Sequence, residues 1–305
     1  MRAPSILVVG MAVAALSAPS AIPVPAFPSA IAEGGGSVWV LAGNRLVQID
    51  PSTSRVVARI DVGVRVGSER TCDLAVAGGV VWTIGATGGA QSRVVRVDVR
   101  SGRLLGSTLL PSAACVAATP QGAWVTLSEA RALVRLDRDG RVHRRVATDA
   151  YCDAIVAGHD ALWAACPAET AGAPIGPHTG TILRITGRGQ MTVVAHGVLP
   201  GALAAGPAGV FASGVGHDSG TTVRVDAPGP RFVSSGAVAV GRSTLWVADW
   251  RGPGVPGLVR ERDARTGRVL RVFHAGISPV GITLGASAVW VTNYAQPGSV
   301  TRIAP

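Results

Sequence analysis

The sequence predicts an all-β fold, and three observations predict it. A tryptophan-centred strand phrase recurs, turn-forming residues are abundant, and no helical period separates the copies. The phrase is a small or apolar run, a Gly-rich turn and an apolar-Trp-apolar strand. It reads SVWVLA at 37–42, VVWTIG at 80–85, GAWVTL at 122–127, ALWAAC at 161–166, TLWVAD at 244–249 and AVWVTN at 288–293. A seventh copy, GVFASG at 209–214, carries Phe in place of Trp. The marker aromatics Trp39, Trp82, Trp124, Trp163, Phe211, Trp246 and Trp290 are spaced 43, 42, 39, 48, 35 and 44 residues apart. Strand-like repeats of about 40 residues are the signature of a β-propeller, each repeat being one four-stranded antiparallel blade. The 40 glycines and 20 prolines among 305 residues suit many short strands joined by turns.

Within a blade the elements follow in order. In the last copy, residues 280–285 read as the inner strand, 288–293 as the second and 299–303 as the third. The fourth is visible in the preceding copy, at 268–273, after the turn Asp263-Ala264-Arg265-Thr266-Gly267. Related turns start at Asp50, Asp98 and Asp137. Asp, Ser and Gly favour such tight connections because they accept local hydrogen bonds or adopt positive φ. Asp137-x-Asp139-Gly140 lacks the later ligands of a calcium loop and reads as a turn. The last copy reaches Pro305 without a fourth strand. Aligned on Trp39 and Trp290, residues 21–25 fall on the end of a fourth strand, so the N-terminal segment is expected to complete the seventh blade and close the ring.

Composition narrows the chemistry. All 28 basic residues are Arg, which removes a Schiff-base, general-base or phosphate-loop lysine from consideration. The net charge of +10 is carried by arginines in every repeat without interleaved aromatics, so no nucleic-acid partner is expected. Arg2 followed by the apolar stretch 6–16, too short to span a bilayer, reads as a secretory signal. The expected organisation is a signal peptide over 1–18 and one propeller domain over 19–305, with no membrane span. The expected product is a secreted or extracytoplasmic monomer.

The residues Val289-Trp290-Val291-Thr292-Asn293, the preceding Pro279-x-Gly281-Ile282 and the turn from Asp263 to Val269 resemble those of the YVTN-type and virginiamycin B lyase-like seven-bladed propellers. The resemblance covers nearly all of the chain after residue 18 and implies the propeller fold. Its lyase members use a His/Glu set with a divalent metal near the central channel. Here the five glutamates and six histidines are scattered and form no matched pair across neighbouring repeats.

The repeated residues read as structure. The strand tryptophans occupy one position of one strand, where large rings fill the space between stacked blades. An arginine recurs on the third strand as Arg96, Arg135, Arg184, Arg224, Arg260 and Arg302, with Gln48 in the first copy, suggesting pairing with a nearby turn aspartate. Cys72, Cys115 and Cys152 each begin an inner strand, and Cys166 ends a second strand. A hairpin centred on His159 sets Cys152 opposite Cys166, about 4.5–5.5 Å apart between Cα atoms in antiparallel strands. That leaves Cys72 for Cys115. Export favours oxidation, and pairing of Cys115 with Cys152 is the competing choice.

Functional candidates lie where the phrase departs from itself, on the face where inner strands begin and second strands end. Trp250 and Tyr294 stand where other copies carry small or aliphatic residues, just after Asp249 and Asn293. Two aromatics, each beside a polar group, suggest a stacking platform for a small molecule, glycan or protein. Asp73, Asp153, His178 and His217 add polar groups to the same face. The function expected from these residues is a binding module using this top face, with no catalytic motif, no metal site and no cofactor. The alternative is a metal-assisted lyase or lactonase-like enzyme at the channel mouth, for which a divalent cation is required.

Overall fold

The computed structural model describes residues 20–64, 72–87, 91–148, 150–158, 161–167, 180–187, 189–196, 202–214, 220–234, 236–252 and 254–304. It is a seven-bladed β-propeller: seven four-stranded antiparallel sheets and, among the described residues, no helix. Blade one contains Pro28–Gly34, Ser37–Ala42, Arg45–Asp50 and Arg55–Asp61, ordered from the channel outward. Blades two to six repeat this order without crossover.

Blade seven joins the two ends of the chain. Its inner three strands are Pro279–Leu284, Val289–Asn293 and Gly298–Ile303, and its outer strand is Ser20–Val24. Ser20 pairs with Arg302 and Val24 with Gly298. The expected closure is thus present, with Ile22 and Val24 buried in the cluster that contains Trp290.

The core lies between blades rather than within them. Each marker ring faces the next blade: Trp39 packs with Leu74 and Val81 of blade two, and Trp82 with Val116 and Val125 of blade three. The six marker tryptophans and Phe211 are no more than 6% exposed. Trp39 and Trp163 also donate their indole N–H, at 3.2 Å, to the carbonyls of Gly34 and Gly158 in their own inner hairpins. In these two copies one ring fills the interblade space and ties down a hairpin. The buried indole N–H groups of Trp82 and Trp290 have no such partner among the described residues, so it is the packing that explains the repetition.

The third-strand arginines serve the same seam. Arg184 lies over Trp163 at 5.9 Å and Arg302 over Trp290 at 5.7 Å. Arg224 alone makes the expected contact with the aspartate two residues on, Asp226, at 2.9 Å. Arg96 instead donates to the carbonyl of Arg138 in the next blade. Blade six departs further. Glu261, not Arg260, stands opposite Trp246, and Arg260 faces the other side of the sheet. The cation over Trp246 comes from Arg271 on the outer strand, which also pairs with Glu261. Glu261 precedes Asp263 by two residues, as Arg96 precedes Asp98 and Arg135 precedes Asp137, so it holds the place that arginine takes in those blades. Arg260, one residue earlier, projects from the opposite face.

Candidate interaction face

The top face has two unlike halves. Over blades two to four, two disulfides link Cys72 to Cys115 and Cys152 to Cys166. The first joins blades two and three, and the second lies within blade four. The hairpin of blade four is centred half a residue later than expected, with Ala154 opposite Ala165 and Gly158 opposite Ala161. Cys152 lies just before the strand, and Asp153 N–H continues the pairing to the Ala165 carbonyl at 3.1 Å. His159, the expected centre, lies outside the described residues. All four cysteines belong to one apolar cluster with Trp124 and Leu133. Hydrogen bonds from Val116 N–H to the Cys72 carbonyl and from Ser128 Oγ to the Cys152 carbonyl, both 2.9 Å, bind the three blades further.

Over blades six, seven and one, backbone hydrogen bonds take the place of disulfides. Ser278 N–H donates to the Val255 carbonyl at 3.1 Å, Tyr294 N–H to the Ser278 carbonyl at 2.8 Å, and Phe27 N–H to the Ala295 carbonyl at 2.9 Å. These bonds connect four loops in sequence and leave their apolar side chains outside. Phe27 is 44% exposed, Ile277 42%, Trp250 37% and Val255 37%. Tyr294 is half-buried, and its ring lies 5.2 Å from Phe27 at 47°. The aromatic partner of Tyr294 is therefore Phe27, a residue not anticipated from sequence, while Trp250 stands along the same rim.

The polar residues beside these aromatics are committed inward. Asp249 is buried and paired with Arg260. Asn293 is 1% exposed. Its amide nitrogen donates to Ser299 Oγ and Thr301 Oγ1, both at 2.9 Å, and its oxygen accepts Gly276 N–H at 3.0 Å. Gly276 has no alternative here, because a Cβ would stand 2.6 Å from the Asn293 side chain. The face beside Trp250 and Tyr294 consequently offers apolar area with few free hydrogen-bonding groups.

Phe27 could have been found by superposing the copies. It aligns with Ser278, each preceding a proline at the start of an inner strand, and both have positive φ, 57° and 52°. Ser112 occupies the corresponding blade-three junction at φ 49°. This conformation costs a non-glycine residue roughly 1–2 kcal/mol. A large exposed aromatic is an unusual occupant of a junction that carries serine in blades three and seven.

The remaining candidates do not converge on one site. The central channel is a cavity of about 400 Å³ lined chiefly by Ala, Val, Leu and Ile, with Glu33 the only ionisable side chain among its lining residues apart from the disulfide-bonded Cys72. Asp73, which is buried, and Asp153, which is half-buried, are not among those lining residues. His178 and His217 lie outside the described residues. Among the described residues no three His, Cys, Asp or Glu side chains are grouped as a metal would require. Nor is any helix among them long and apolar enough to cross a membrane.

No family model matches the chain, and no curated protein matches it. Solved structures do. A chain of the Kuenenia stuttgartiensis hydrazine synthase aligns with a TM-score of 0.69 and 16% identity, over 93% of this chain and 97% of its own. The Cps50 (Swd1) β-propeller domain of Myceliophteria thermophila aligns with a TM-score of 0.67 and 12% identity, over 95% and 99%. BamB from Moraxella catarrhalis aligns with a TM-score of 0.58 and 12% identity, over 91% and 84%. At these identities the similarity shows a shared fold, while the seven blades are this chain's own topology and chemistry is left to the site.

Proposed function

We propose that this chain is an exported protein-binding propeller, and that its partner docks on the rim formed by Phe27, Tyr294, Trp250, Val255 and Ile277. The observation that carries this reading is the pairing of exposed apolar side chains with inward-committed polar neighbours. A sugar site needs side-chain donors and acceptors beside its stacking ring. Here Asp249 and Asn293 are engaged by Arg260, Gly276, Ser299 and Thr301. Apolar area with few free polar groups is recognised by apolar side chains of another protein, and clustered aromatics are typical anchors of such contacts.

Export is supported by the apolar stretch 6–16 after Arg2, taken as a leader over 1–18 ahead of a single domain over 19–305, and by two disulfides, which persist in oxidising compartments. The motif 289–293 and the turn 263–269 favour kinship with the YVTN-type propellers as the finer classification. The test is photo-crosslinking in the producing cells, with a benzophenone amino acid at position 250 or 277 and, as control, at Arg268 on the opposite face. A discrete protein adduct from the rim positions alone is expected. Adducts of equal intensity from all three positions, or none from the rim, overturn the reading.

A further inference from the structure

The outer strands of a propeller leave a row of unpaired backbone groups, which proteins usually guard with charge or proline. Such guards are present in Arg59 of blade one, Arg145 of blade three, Arg231 of blade five, Arg271 of blade six and Pro23 of blade seven. The outer strand of blade two, Leu104–Pro111, has eight residues and no charged side chain, and its one proline stands at the final position, leaving residues 104–110 without a guard. The two other outer strands without Asp, Glu or Arg are shorter: Met191–His196 of blade four has six residues, and Ser20–Val24 of blade seven has five and carries Pro23 in its interior. In blade two, Leu104, Leu105 and Leu109 are 54%, 46% and 53% exposed.

Charge is concentrated around this same strand. Residues 91–147 hold ten arginines against four acidic residues, a net +6 of the chain's +10. Most of the acids are engaged: Asp98 by Ser101, Asp137 by the Asp139 and Arg141 N–H groups, and Glu129 by Ser112. The blade-three turn lies against the strand, since Thr108 Oγ1 donates to the Gly140 carbonyl at 2.6 Å. Arg141, His143 and Arg145 are exposed beyond it. Arg145 is opposite Val134, whose cluster packs toward blade two, so this arginine faces the strand. On the other side Leu109 stands opposite Arg93 and Ser107 opposite Val95, which packs toward blade one with Ile60.

We propose that the outer strand of blade two is a strand-addition site for an extended acidic segment of a protein partner. Backbone pairing supplies the affinity, and the two-residue alternation of a strand supplies the pattern. Acidic side chains of the added strand face blade three and its arginines. Apolar side chains on the alternate positions cover Leu109 and the blade-one side.

The experiment is fluorescence anisotropy with the oxidised protein and a labelled, capped decapeptide alternating Glu and Val. A Lys/Val decapeptide and a Glu/Val decapeptide N-methylated at alternate residues serve as comparisons. The Glu/Val peptide is expected to bind at least about tenfold more tightly than either comparison, a difference that shrinks with added salt because it rests on exposed charges. Leu109→Asp, and separately Arg141→Glu with Arg145→Glu, are each expected to weaken it about tenfold. The arginine pair is exposed, so it serves as the test if Leu109→Asp fails to fold. Equal binding of the three peptides, or binding indifferent to the arginine pair, overturns the proposal. So does binding of phosphatidylglycerol vesicles through the same arginines with no response to the Glu/Val peptide, which assigns the surface to a membrane.

Discussion

The two halves of the top face solve the same problem with different chemistry. Blades two to four are tied by covalent bonds, and their cysteines sink into an apolar cluster. Blades six, seven and one are tied by a relay of backbone hydrogen bonds and by the buried amide of Asn293, and they leave Phe27, Trp250 and Ile277 in solvent. A disulfide takes its stabilisation largely from restricting the unfolded chain, whereas a hydrogen-bonded loop contributes a small net energy and leaves its side chains free for contact. Covalent restraint is concentrated in one half and exposed apolar surface in the other.

The sharpest way to break this contrast is to remove the staple. Replacing Cys72 and Cys115 by serine opens a loop of 43 residues, for which chain entropy gives a loss of about 4 kcal/mol. The same change at Cys152 and Cys166, with a separation of 14, is expected to cost about 3 kcal/mol. Urea denaturation of the two double variants reads the order. An equal or reversed loss would show that the interblade link is not the main constraint.

The hydrogen-bonded half has its own keystone. Asn293→Ala leaves Gly276 N–H without its acceptor and removes two donated bonds from the interior, an expected loss of about 2–3 kcal/mol in the same assay. Trp250→Ser and Tyr294→Ala lie on the exposed side of that half. Their expected effect on stability is within about 1 kcal/mol, yet both should abolish the rim crosslink. A large loss of stability from Trp250→Ser would mean that the ring is packing rather than an anchor.

The smallest effect concerns the face opposite the rim. Side-chain hydrogen bonds from Ser52, Ser101 and Thr266 hold Asp50, Asp98 and Asp263 below the ordinary carboxylate value of 3.8. With the folded value depressed, their contribution is complete above pH 3.8 and fades as pH falls through the lower folded value. Amide exchange at Ser101 and Thr266, corrected for intrinsic rates, should therefore keep constant protection from pH 7 to about 4 and lose it only below. Loss of protection near neutrality would contradict the turn assignment. The disulfide-bonded cysteines of the opposite face should not respond over this range.

Much of the architecture was legible because a propeller repeats. The strand tryptophans announced the blades, residues 21–25 announced the closure, and the cysteine positions announced both disulfides. The errors came from single-residue offsets, to which spacing arguments are blind. Arg260 was aligned with the other third-strand arginines, but Trp246 faces Glu261, and Arg260 turns instead to Asp249. Asp249 and Asn293 looked like ligand groups because they adjoin aromatics. Their side chains point into pairings that only the neighbouring strands could reveal. Phe27 escaped notice because it lies outside the recurring phrase, 267 residues from Tyr294 in sequence.

By itself, the sequence determined the all-β class, the number of blades, the aromatic seam between them and the joining of the chain's two ends. Those properties follow from a local pattern repeated at a nearly constant period, and each copy reinforces the reading of the others. Only the tertiary structure decided which aromatics meet, which polar groups are already engaged and which uncharged outer strand lies amid positive charge. Those properties depend on register and on contacts between blades, where a shift of one residue moves a side chain to the other face of a sheet.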